Sequence, residues 1–266
     1  MEPSPKFSSP PPPYDDIAPE VTKNPCLPPV TLLLDGQSIR DESSLAHLYQ
    51  LSRCVTTLPR TPPKNSSITF ERVESHAPEK LEASETAEPH YRHLFYLAHP
   101  ADAQYRTDIP EYYITSVDTD TVGNIYLEAN KPRFQKNEFK LLLSSKRTAS
   151  DRPLFDEPGK ASPLFTARPA KLMSSCYSWI QRGGSQVAVE DGKGAEHKLA
   201  IMTAMTQEMR DALVAVWLLR LWYETAESKQ VKREELERMM PPIPHQDWKL
   251  GKRVGVLGGL AGAGGC

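Results

Sequence analysis

Four residues near the start of the chain, Pro11-Pro12-Pro13-Tyr14, spell PPxY, the kind of ligand that WW domains read. Prolines restrict φ and pre-order an extended polyproline II segment, so an aromatic groove on a partner binds it at little further ordering cost. The motif lies in a Pro/Ser-rich tail, residues 1–29, expected to be disordered and open to a partner. A chance match in a proline-rich segment is the alternative. If used, the motif makes the chain a regulatory adaptor or substrate of a WW-domain ubiquitin ligase.

A second set is cationic. Lys131, Arg133, Lys136 and Lys140 run from a loop into a strand, and Lys146 and Arg147 follow, with Glu138 the lone acid between them. Gathered on one rim, such charges attract an anionic phospholipid head group at about 1 kcal/mol each. Dispersed, they are a solvated rim that offsets the acids elsewhere. Residues 71–128 hold 12 acidic against 4 basic residues, a net of −8, and residues 130–171 hold 10 basic against 4 acidic, a net of +6. The net charge of −2 on the whole chain argues against a general nucleic-acid binder.

The remaining candidates carry less chemistry. His90, His93 and His99 have no cysteine or carboxylate set to complete a metal site, so neither metal nor other cofactor is expected. Cys266 follows a glycine run and, with Lys249, Lys252 and Arg253 upstream, offers a lipidation site, although Gly-Gly-Cys is not a prenylation box. Arg220 interrupts an apolar run and needs a buried partner or a route to solvent. The chain contains no glycine-rich phosphate loop, GxSxG or HExxH motif. No catalytic residue is assigned, and the chain reads as non-enzymatic.

The elements that must position these residues are mostly strands. Twelve short runs have strand character: Val30–Leu34, Gln37–Arg40, Leu48–Arg53, Ser67–Val73, Leu94–Leu97, Tyr112–Val117, Asn124–Leu127, Phe139–Leu143, Leu164–Ala167, Cys176–Gln181, Ser185–Val189 and Lys198–Met202. Asp35-Gly36, Gly183-Gly184 and Asp191-Gly192 supply turn chemistry, and residues 75–91 read as an acidic excursion loop. Short strands at regular spacing predict a mainly β sandwich or barrel of roughly ten to twelve antiparallel strands.

The pattern then changes. Thr206 is a plausible N-cap for a helix over 207–228, and from Ala212 to Trp222 that helix is apolar on every face except for Arg220. Eleven residues fall well short of the ~20 that cross a bilayer. No transmembrane span is therefore expected, and the strands must enclose the helix. Residues 229–266 read as a charged helical extension and a glycine-rich disordered tail. Four scattered cysteines without a CxxC pair suit a reducing compartment, so the expected location is cytoplasmic, peripheral to a membrane at most.

The order of these elements resembles the tubby C-terminal-like and phospholipid-scramblase-like β-barrels, in particular uncharacterised fungal members. The stretches that carry the resemblance are Thr31-Leu-Leu-Leu-Asp-Gly, Leu48-Tyr-Gln-Leu-Ser-Arg, His93-Leu-Phe-Tyr-Leu, Gly123-Asn-Ile-Tyr-Leu-Glu and Asp211-Ala-Leu-Val-Ala-Val-Trp. They cover roughly residues 30–228. The resemblance implies a closed antiparallel barrel threaded by the helix, and a module that binds lipid head groups or proteins without established catalysis. The cationic phosphoinositide motif of tubby proteins has no counterpart here, and neither does the membrane anchor of scramblases.

Overall fold

The computed structural model describes residues 26–57, 65–74, 89–100, 103–106, 108–130, 136–157, 159–170, 176–191, 196–227 and 236. Its strands are β1 (Cys26–Leu27), β2 (Val30–Asp35), β3 (Ser38–Asp41), β4 (His47–Leu51), β5 (Asn65–Glu74), β6 (His90–Pro100), β7 (Tyr113–Ser116), β8 (Ile125–Asn130), β9 (Glu138–Leu143), β10 (Ser162–Pro169), β11 (Cys176–Gln181), β12 (Gln186–Asp191), β13 (His197–Ile201) and β14 (Met205–Thr206). One helix, α1 (Gln207–Glu227), follows them. Strands β2 to β13 form a closed twelve-stranded barrel in which each strand pairs with its neighbours in the chain. The ring shuts where β13 lies antiparallel to β2, from His197↔Leu34 to Ile201↔Val30.

Alternation along each strand divides core from surface. In β2, Leu32 and Leu34 are buried while Leu33 is half-exposed. Ile39, Tyr49, Phe70, Leu97 and Trp179 repeat the inward position on other strands. Asp35 and Ser38 are register partners across the β2–β3 hairpin. Gly36 turns that corner at φ +60°, a conformation that side chains disfavour.

The inward faces converge on α1. Every residue from Arg210 to Tyr223 is buried, and Ala212–Leu219 have no exposed surface at all. Eight consecutive residues at zero exposure leave no helical face free, so the helix lies inside the barrel. Leu213, Val216, Trp217 and Leu218 each contribute about 1.5–3 kcal/mol through burial. The Thr206 hydroxyl accepts from the Met209 amide at 3.4 Å, which caps the first turn as its residue type predicts.

Two details differ from the sequence reading, and a third lay outside it. Cys26–Leu27, placed in the tail, form β1 and pair with β14 beside the helix entry. His90 and Tyr91, placed in the excursion loop, begin β6 and pair with Glu74 and Val73. The connection from β9 to β10 folds over the outer wall, where Phe155 packs on Tyr126 and Leu142 in a second small core. Patterning inside one element does not report such cross-chain contacts.

Because successive strands reverse direction, their connections fall at two ends. The β3–β4, β7–β8 and β9–β10 connections lie where α1 enters, and the β6–β7 and β8–β9 connections lie where it ends.

Candidate binding site at the helix entrance

The first turn of α1 sits among side chains from strands far away in the chain. Asp211, buried in this turn, accepts from the Tyr49 hydroxyl of β4 at 2.9 Å, from Arg72 of β5 at 2.6 Å and from Gln207 at 2.6 Å. Burial pushes its carboxyl above the ordinary aspartate range despite the neighbouring arginine. The Tyr49 hydroxyl is pushed well up in turn, by burial first and then by the Asp211 charge. Arg72 also donates to Glu74 at 2.7 Å, so β5 and the helix share one ionic link.

Around this link lies a cavity of about 820 Å³. Four arginines line it, Arg72, Arg92, Arg147 and Arg210, with four carboxylates, Glu74, Asp120, Glu208 and Asp211. The pairing is uneven. Arg72 holds Asp211 and Glu74, and Arg92 holds Asp120 at 3.1 Å. Arg147 donates instead to the carbonyls of Thr119 and Thr121, at 2.7 and 3.0 Å, and Arg210 to the carbonyl of Pro28. The buried Nε of Arg210 has no hydrogen-bond partner among the described residues. Glu208 is the fourth acid of the lining, so its formal charges balance, and the helix adds roughly half a positive charge at this end.

The described residues of the predicted cationic strip do not lie together. Lys136 precedes β9 at the end where the helix finishes, with its Nζ 5.6 Å from the centre of the Tyr177 ring. Lys140 is exposed on the barrel wall, opposite Glu128 of β8. Lys146 and Arg147 follow β9 at the other end, and of the six residues Arg147 alone lines the cavity. Lys131, Arg133, the motif Pro11-Pro12-Pro13-Tyr14 and Cys266 lie outside the described residues. Arg72, Arg92 and Arg210 escaped the sequence reading because two lie in a strongly acidic stretch and one in an ordinary helical first turn. Only register brings them together.

The other candidates have structural surroundings. Arg220 pairs with Glu190 of β12 and, at 2.8 Å, with Glu224, while its guanidinium lies 4.2 Å from the centre of the Tyr177 ring. His99 stacks on Tyr112 at 4.0 Å, and His93 packs edge-on against Tyr96. Among the described residues no group of three or more His, Cys, Asp or Glu could hold a metal ion. No helix among them is long and apolar enough to cross a membrane. No family model, curated protein or solved structure matches the chain.

Proposed function

We propose that the chain is a non-enzymatic, tubby-like binding module that receives an anionic lipid head group in the arginine-lined cavity at the helix entrance. The observation that carries this reading is the pair Arg147 and Arg210, whose hydrogen-bond acceptors among the described residues are backbone carbonyls, at the positive end of a buried helix dipole. A phosphate there offers both guanidinium groups an ionised acceptor in place of neutral carbonyl oxygens. Such a module acts in the cytoplasm as a peripheral membrane protein.

Vesicle co-sedimentation tests it, with phosphatidylserine or phosphoinositide vesicles and with soluble inositol phosphate as competitor. Binding is expected at low salt, weakens at physiological salt, and is lost in Arg147→Glu. Replacing Lys131, Arg133 and Lys136 together by Glu leaves it unchanged, because Lys136 sits at the opposite end of the barrel. No binding at low salt, or binding that survives Arg147→Glu, removes the site.

The adaptor reading, resting on Pro11–Tyr14, belongs to a different surface and is compatible with this one. Titration of the full chain against WW domains, with Tyr14→Ala as control, decides it. Equal binding by both forms rejects the motif.

A further inference from the structure

Among the described residues, the barrel wall is paired over its shortest length between β7 and β8. β7 and β8 pair only at Tyr113↔Tyr126 and Ile114↔Ile125, extended by the Leu127 amide, which donates to the Tyr112 carbonyl at 3.0 Å. On its other side β8 stays paired with β9 as far as Asn130↔Glu138. Continued by two residues, the β7–β8 register places Ala129 opposite Pro110, whose nitrogen carries no proton. Among the described residues, Glu128–Asn130 therefore have a sheet neighbour on one side only. The Leu127 amide points towards β7, so the main-chain groups of Ala129, two residues on, point the same way.

A cleft of about 400 Å³ lies over this free edge. Its apolar surfaces come from Tyr112, Leu127 and Tyr223 on the core side and from Tyr126 and Phe155 on the outer side. Its charged lining is entirely acidic: Asp108, Glu111, Glu128 and Asp156, with no lysine or arginine. Two of these acids are engaged. Arg106 holds Asp108 through two bonds, at 3.0 and 2.6 Å, and Ser144 and Ser145 hold Asp156. Glu111 and Glu128 are exposed; Lys140, the β9 residue directly opposite Glu128, is not part of the cleft lining.

We propose that this seam takes an extended, lysine- or arginine-bearing segment of a partner protein, added to β8 as a short strand. A free strand edge supplies main-chain hydrogen bonds without sequence preference. The two exposed glutamates then select for basic side chains, whose aliphatic stems cover the aromatic surfaces. Neither feature suffices alone: the edge is too short to be selective, and the acids alone would attract any cation.

The probe is a fluorescent octapeptide of alternating lysine and threonine, titrated into the full chain at low salt. Saturable binding is expected, together with slowed hydrogen exchange at the Ala129 amide. A glutamate-for-lysine peptide does not bind. Glu111→Lys with Glu128→Lys weakens binding by about tenfold or more while leaving the circular dichroism spectrum unchanged, because both side chains are exposed. Methylating alternate peptide amides on the pairing edge abolishes binding. Absence of binding, indifference to the double charge reversal, or binding that survives methylation each overturns the proposal. So does an Ala129 amide already protected in the peptide-free chain, because a segment of the chain itself then occupies the edge.

Discussion

Arg220 and Glu190 show what a charge does inside an apolar core. Arg220 is 1 % exposed and Glu190 also 1 %, yet Arg220 interrupts the run that fills the barrel. Tyr177 donates to Glu224 at 2.8 Å, which ties the second carboxylate of the cluster to β11. Arg220→Ala leaves Glu190 buried and uncompensated, at a cost of about 3–5 kcal/mol in a urea melt. Arg220→Met with Glu190→Gln recovers most of that loss, because no charge remains to be desolvated. Burial raises the Glu190 carboxyl above its ordinary 4.5. A raised acid gives stability that is present below the ordinary value and lost as pH rises through the folded one. The Arg220→Ala penalty is therefore larger at pH 7 than near pH 4.5. A penalty that does not vary with pH rejects Glu190 as its source.

At the scale of elements, the β9–β10 connection is held by polar clamps as well as by Phe155. Asp156 accepts from the Ser145 amide and hydroxyl at 2.5 and 2.6 Å, and Asp151 accepts from the amides of Arg147 and Thr148 at 2.7 and 3.0 Å. These bonds lower both carboxyls below the ordinary 3.8. A lowered acid contributes stability that is present above the ordinary value and lost as pH falls through the folded one. The connection should therefore loosen below about pH 3.8, read as faster hydrogen exchange at the Ser145 and Thr148 amides before global unfolding. Asp156→Asn should show that fast exchange at Ser145 already at neutral pH. Unchanged exchange in the variant would refute the clamp. Because Arg147 belongs to the same connection, acid release also moves a residue of the proposed head-group site.

For the whole molecule the decisive feature is that the helix follows all the described strands in the chain and fills the interior. Without it, the inward side chains of twelve strands face one another across a space of helical width. Leu218→Asp places an unpaired carboxylate where exposure is zero, a loss of several kcal/mol against a total stability of about 5–15 kcal/mol. It should abolish soluble expression, whereas Leu218→Met should be tolerated at a cost below about 1.5 kcal/mol. Soluble, cooperatively folding Leu218→Asp protein would contradict enclosure. What the chain alone determined was the set of twelve strands and the buried helix, because period-two alternation and all-round apolarity are local properties that any window of sequence exposes. The tail boundary failed at Cys26–Leu27, where two residues form a strand only because β14 lies beside them. One partner of Asp211 lies 139 residues away at Arg72, and of the cations expected on one rim the described Lys136 is separated from Lys146 and Arg147 by the length of β9. Register and barrel closure decide which distant side chains meet, and they follow from the packing of all strands together, so no local pattern encodes the arginine-lined cavity or the seam beside β8.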